Sequence, residues 1–316
     1  MIIDAHAHTW RRVNGRVGGG RTRSRTYGRV QVGDKPPTRL MPPFNRVTTF
    51  PIEVLLEQMD WAGVDKAVLL QGSFYGEEND YVARAVARHP DRLIGAAFID
   101  PRGPEAEQEL ERLTGDMGFR IIKLEMSVGF GFTGLYPDLR LDADEMAWLW
   151  AAAERQGLVV VLDLGAVGSA SYQTEAVRQI LERHPRLRIV IAHLAQPPIA
   201  KADDAELDQL WQEQIELGRH PNVSFDLSAL PAYASKVEDY PYATARRYIE
   251  RAVGLIGAGK ILWGTDVPGL LSQATYPQLL EYVTRHCNFL APKELEAIVG
   301  GNALKLYSHL WHPQEG

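Results

Sequence analysis

Eight short β-type runs alternate with helical patterns along this chain, and that rhythm limits the folds open to it more than any other feature. The runs cover residues 2–7, 67–71, 93–98, 119–125, 158–163, 188–192, 223–227 and 260–263. Several are continuously apolar, as parallel strands covered on both faces must be. Val159-Val160-Val161-Leu162 is the clearest. Between the runs, apolar residues recur at helical spacing. Ile52, Leu55, Leu56 and Met59 fall at i, i+3, i+4 and i+7, behind a Pro51 suited to a first turn. Residues 144–156, 173–183 and 205–217 repeat the pattern, the first of them stopping before Gly157. Alternating strands and helices form βαβ units with right-handed crossovers. Eight units in 316 residues predict an α/β fold, a (β/α)8 TIM barrel occupying one domain over 1–316; an open doubly wound sheet is the structural alternative. No internal sequence repeat and no linker divides the chain.

Two long stretches break the rhythm, residues 10–49 after strand 1 and 127–141 after strand 4. Both emerge where a barrel's active-site loops emerge, and both read as irregular. The first is strongly basic. Residues 11–46 hold nine Arg and one Lys against one Asp, a local charge of +9. The whole chain carries −6, so the remainder carries −15. A mobile lid whose guanidinium groups clamp a carboxylate would explain this, with Arg21, Arg23 and Arg25 as substrate-binding residues. A solvated loop, or one packed on an acidic neighbouring subunit of a homo-oligomer, explains it equally. Nucleic acid is not an expected partner, because the rest of the chain is acidic and no recognition motif is present.

Composition sets further bounds. Hydrophobic residues make up 45% of the chain, enough for a large core, and no run approaches the ~20 apolar residues of a membrane span. The chain opens directly on Met1-Ile2-Ile3 with no basic leader, so a cytoplasmic protein is expected. Its single cysteine, Cys287, cannot form an internal disulfide and reads as a small buried hydrophobe. Trp148 and Trp150 read as core or interface residues.

Chemistry-bearing residues gather at the ends of the predicted strands. His6 and His8, at i and i+2 on strand 1, share a face and can reach one metal ion. Lys123 and Glu125 share a face at the end of strand 4. Asp163 ends strand 5, His193 ends strand 6 and Asp266 follows strand 8. Groups at C-terminal strand ends of a barrel converge on one pocket. Imidazoles and carboxylates are the ligands zinc takes, and a catalytic zinc keeps one position open. Singly, each residue has a plainer role: His193 a hydrogen-bonded core histidine, Asp266 a helix cap, Lys123 and Glu125 a structural ion pair. Their joint position at strand ends argues against independent accidents.

At these residues the chain resembles the amidohydrolase-related branch of the amidohydrolase superfamily, which includes aminocarboxymuconate-semialdehyde and resorcylate decarboxylases and several lactonases. Ile3-Asp4-Ala5-His6-Ala7-His8, Ala192-His193-Leu194 and Trp263-Gly264-Thr265-Asp266-Val267-Pro268 carry the resemblance. Residues 63–68, 89–95 and 301–307 extend it over nearly the whole chain. It implies His6, His8 and Asp266 as metal ligands and His193 as a catalytic group; Asp266, a carboxylate poised beside the metal, is also expected to act catalytically by accepting the proton of the attacking water. In one place the chain departs from the family pattern. Asp163 stands where that branch has a strand-5 histidine. Asp163 can still ligate a divalent ion, and Glu125 can instead complete the shell. The expected ion is zinc, with manganese as the alternative because added carboxylates favour harder ions. Some lactonases of this branch need no metal.

The expected function is a metal-dependent hydrolase of a small anionic lactone, ester or amide, with Lys123 among its substrate-binding residues. The alternatives are non-oxidative decarboxylation of an aromatic or unsaturated acid, and a catalytically silent or metal-independent barrel.

Overall fold

In the computed structural model, which describes residues 1–311, eight parallel strands form one sheet in strict chain order. They are β1 (Ile3–His8), β2 (Lys66–Leu70), β3 (Leu93–Ala97), β4 (Ile121–Glu125), β5 (Val159–Asp163), β6 (Arg188–Ile191), β7 (Val223–Asp226) and β8 (Ile261–Leu262). Hydrogen bonds from Ala5 N to Trp263 O (2.9 Å), Asp266 N to His6 O (2.7 Å) and His8 N to Val267 O (2.9 Å) join the last strand segment to the first. The chain is a (β/α)8 barrel, as its rhythm predicts. No described helix is long and apolar enough to cross a membrane.

Two apolar layers build it. Inside the barrel, Ile3, Ala5, Val68, Ile121, Val159, Val161 and Leu262 pack together, and Tyr307 and Trp311 of the helix Asn302–Trp311 close the floor. Outside, the strands' other faces meet the amphipathic helices, among them Ile52–Ala62, Thr174–Arg183 and Ala205–Ile215. Burying these layers is the dominant favourable contribution to the fold.

A bulge in β1 decides where its polar residues point. Ile3 and Asp4 pair with Lys66 and Ala67, but Ala7 and His8 pair with Leu69 and Leu70, so β1 holds one extra residue. The extra residue reverses the alternation. Ile3 and Ala5 face inward at the floor, whereas His6 and His8 face inward at the mouth. Asp4 is left facing the helical layer, where Tyr276 Oη donates to its Oδ2 at 2.6 Å.

The basic stretch after β1 is not irregular, which corrects the expectation from sequence. Its strands Arg16–Val17, Gly20–Ser24, Arg29–Val32 and Thr38–Arg39 form a four-stranded antiparallel sheet. Glycines turn the chain at 18–20, 28 and 33, and the arginines alternate with residues that go inward. Val17, Thr22 and Val30 are buried, while Arg21, Arg23 and Arg29 are exposed. The high charge hid a period of two. The stretch after β4 contains a short helix, Phe132–Leu135, and its tip presents Val128 and Phe130 to solvent.

Candidate active site

Above the barrel lies a cavity of about 430 Å³, within the range of small-molecule sites. His8, Lys123, Glu125, Asp163, His193 and Asp266 line its base, and aromatic rings of Phe74, Tyr75, Phe130 and Tyr233 wall it.

Two histidines and a carboxylate converge first. His6, His8 and Asp266 each offer a ligand atom, all within 4.8 Å of one another. Hydrogen bonds fix both imidazole tautomers. His8 Nδ1 lies 2.8 Å from the Leu70 carbonyl, which can only accept, so Nδ1 carries the proton and Nε2 holds a lone pair. That lone pair faces Asp266 Oδ1 at 3.0 Å. His6 Nδ1 lies 3.0 Å from Asp226 Oδ2, which holds its proton, and His6 Nε2 stands 3.8 Å from Asp266 Oδ1. Burial pushes the His6 pKa down to about 4 and lowers that of His8, so both rings are neutral, the form that binds metal. Partner-fixed tautomers of this kind orient ligating histidines. His6, His193 and Asp226 also lie close enough to hold an ion. There, however, the His6 and His193 Nδ1 atoms already serve hydrogen bonds.

Asp266 owes its position to a tight strand junction. Thr265 clamps Asp4 through its N–H (3.0 Å) and its hydroxyl (2.6 Å). Any Cβ on Gly264 would come within 2.9 Å of His6 Cβ, so only glycine permits this approach. Asp266 itself sits at φ 61°, and its side chain keeps 22% exposure toward the cavity.

A second group centres on His193. Its Nε2 lies 2.9 Å from Asp163 Oδ2, and its Nδ1 lies 2.7 Å from Ser228 Oγ. Burial opposes charging this ring, but the adjacent Asp163 carboxylate outweighs it and lifts the pKa to about 9. His193 is therefore an imidazolium with both N–H groups engaged. Asp163 also accepts from Gly165 N (3.0 Å) and Gln196 Nε2 (3.1 Å). Its pKa lies well below the usual range, burial notwithstanding, because His193 holds the charge. Beside it on β4, Glu125 is raised to about 7 by burial and by the Asp163 charge. Residues 193–196 all take positive φ, at 59°, 47°, 57° and 45°. Left-handed backbone costs roughly 1–2 kcal/mol per non-glycine residue, and such strain collects at functional sites.

Lys123 links the two groups. Its ammonium lies 3.3 Å from His6 Nε2 and 3.4 Å from Glu125 Oε2. Burial works against its charge, but Glu125, Asp163, Asp266 and Asp226 raise its pKa.

The structure thus brings His6, His8, Asp266, His193, Asp163, Glu125 and Lys123 to one place. Asp163 lines the cavity yet lies outside the candidate ligand groups among the described residues, with Oδ2 given to His193. Arg21, Arg23 and Arg25 do not reach the cavity. They are exposed and line separate surface clefts. Sequence reasoning passed over Asp226 and Ser228, which hold His6 and His193. The strand-end rule that selects Asp163 also selects Asp226, the last residue of β7.

The chain matches the amidohydrolase family over residues 3–308. It is 25% identical to L-fucono-1,5-lactonase of Burkholderia ambifaria, a match covering 96% of this chain and 94% of that one. An amidohydrolase from Burkholderia multivorans with bound zinc is 19% identical, has a TM-score of 0.70, and covers 98% of this chain and 99% of its own. The 5-carboxyvanillate decarboxylase of Sphingomonas paucimobilis is 18% identical with a TM-score of 0.54, over 80% and 82%. The two solved structures share the fold with this chain. With its family matched across almost its whole length, the chain belongs to the amidohydrolase family and is a hydrolase built on a (β/α)8 barrel.

Proposed function

We propose that this enzyme hydrolyses a small anionic lactone at the His6–His8–Asp266 centre. The observation that carries the reading is a pair of neutral imidazole lone pairs aimed at one partly exposed carboxylate on the cavity base. The lactonase relative points to a cyclic ester, and Lys123 in the base with Lys236 at the rim suits an anionic one.

The donor set fits a divalent ion. His8 Nε2 and Asp266 Oδ1 are two acceptors 3.0 Å apart, an arrangement that calls for a cation between them. His6, His8 and Asp266 would hold that ion, zinc by the ligand chemistry and manganese as the alternative. When bound, it supplies Lewis acidity toward the substrate carbonyl and lowers the pKa of water.

The chain's own residues do the rest. Asp266, which burial alone would favour protonating, is kept ionised by the His193 charge nearby and takes the proton of the attacking water. The His193 imidazolium fixes a positive charge in the cavity wall, where it stabilises the oxygen that becomes anionic. Asp163 and Ser228 keep that ring from turning. Tyr75 and Tyr233 stay protonated, since burial and the surrounding carboxylates push their phenols well up, and they remain hydrogen-bond donors to substrate.

One distance favours a second version of the same reaction. Lys123 donates toward His6 Nε2 at 3.3 Å. That nitrogen has one lone pair, so it cannot serve both Lys123 and a metal ion. If Lys123 keeps it, its ammonium is the electrophile and hydrolysis needs no metal.

The test is a panel of sugar 1,4- and 1,5-lactones and carboxylated pyrones. Acid release is followed with a pH indicator, before and after chelation, and CO₂ is followed with aromatic carboxylic acids. Acid release from a lactone supports the proposal, and chelation separates its two versions. CO₂ from an acid without lactone turnover, or no turnover of either class, overturns it.

A further inference from the structure

The catalytic cavity leaves the basic insert unexplained, since none of Arg21, Arg23 and Arg25 lines it. A second cleft of about 780 Å³ lies between the insert and the loop after β2. Four arginines line it, Arg11, Arg12, Arg23 and Arg25, together with Glu77 and Glu78. The geometry points to a second anion-binding site here, for a small multivalent anion of the phosphate or polycarboxylate class.

The cleft's charge favours an anion. The cleft carries two positive charges in excess within a chain of net charge −6. Arginine cannot discharge by losing a proton, so the excess persists at any ordinary pH. Arg11 leans on Glu78 (3.8 Å), and the Arg25 guanidinium is held by Gln31 (Nε to Oε1, 2.8 Å). Arg12 and Arg23 have no side-chain hydrogen bond or ion pair among the described residues. Two free planar forks in one concavity suit oxyanions, which guanidinium binds bidentately.

The cleft is also rigid. The walls are bolted together by Asn14 N to Tyr75 O (3.0 Å) and Arg16 N to Ser73 O (2.9 Å). The contact is so close that a Cβ on Gly15 would fall 1.9 Å from Ser73 O. A ligand entering here meets a preformed cleft and not a loose loop, which lowers the entropy cost of binding.

The cleft is distinct from the catalytic cavity. Among the described residues Tyr75 alone lines both, stacked on Trp10 with centroids 4.5 Å apart and standing 4.7 Å from the His8 ring.

The test is isothermal titration of pyrophosphate, and separately of tricarballylate, into wild type, R12Q/R23Q and K236Q at one fixed ionic strength. Both arginines are exposed, so the double variant is expected to keep its circular dichroism and melting temperature. Single variants R12Q and R23Q repeat the test independently. The expected result is one saturable site, at least tenfold weaker in R12Q/R23Q and unchanged in K236Q, with the tighter anion identifying the class. Saturable binding of neither anion overturns the proposal. So does equal affinity in wild type and R12Q/R23Q, and so does a loss confined to K236Q, which would place the anion in the catalytic cavity. None of these results depends on lactone turnover.

Discussion

His8 Nε2 and Asp266 Oδ1 face each other at 3.0 Å, and the proton that could join them is spent elsewhere, on the bond from His8 Nδ1 to the Leu70 carbonyl. The pair therefore meets as two acceptors with burial disfavouring a second proton on the ring. On the proposed reading, a divalent cation resolves this contact.

Removing the imidazoles should remove a bound metal. His6→Ala with His8→Ala is expected to lose at least 90% of the divalent ion that wild type retains after dialysis, along with turnover, at unchanged secondary structure. Elemental analysis of both proteins checks it. Full metal content in the double variant would place the ion elsewhere.

Asp163→Asn should release His193. With the carboxylate gone, burial still opposes the charge and only Asp266 and Asp226 favour it, so the His193 pKa falls from about 9. The sign for stability follows. A histidine whose folded pKa exceeds its unfolded value stabilises fully below pH ~6.5, and that contribution fades as pH rises through 9. Wild type should lose stability between pH 6.5 and 9, and the variant should lack this slope. Breaking a buried pair costs about 3–5 kcal/mol, so the variant should also melt lower. Ring-proton NMR and denaturation at several pH values decide it. An unchanged His193 titration would show that Asp163 does not hold the ring's charge.

Lys236 stands exposed at the cavity rim, 6.0 Å from the Tyr233 ring centroid. Exposed charges contribute modestly, about 1 kcal/mol or less. Lys236→Ala should raise KM for an anionic lactone about three- to fivefold, with kcat and the KM of a neutral lactone unchanged. Equal effects on both substrates would remove Lys236 from anion recognition.

Cys287 is 3% exposed, and burial pushes its thiol up to about 12. Alkylation requires thiolate. Native protein at pH 8.5 should therefore resist iodoacetamide for hours and react within minutes once denatured. Fast labelling of the native state would contradict the burial of this residue.

The barrel was legible because burial on both faces leaves a sequence mark. Val159–Asp163 and Arg188–Ile191 are apolar runs, and their ends fall where the runs end. His6 and His8 were legible as a pair from their spacing, but the bulge that turns both inward was not. A bulge depends on register with β2, which no local pattern records. Asp163 reads from sequence as a ligand position, and its own strand says nothing of its partner His193. His193 reaches it only through the left-handed turn at 193–196, set by contacts 30 or more residues away such as those with Asp163 and Asp226. The insert misled for a different reason. Nine arginines drew attention to charge, while the small inward residues between them carried the sheet.

The specificity constant of Asp266→Asn beside wild type, on the best lactone of the panel, decides whether the proposed centre is catalytic. Asparagine keeps the shape and removes the charge to which the proposed mechanism gives both cation binding and acceptance of the water proton. General base catalysis contributes about 10²–10⁴-fold. Wild type is expected to release acid from a lactone, and the variant to lose at least 10²-fold in kcat/KM at unchanged fold. A variant as active as wild type would contradict that expectation.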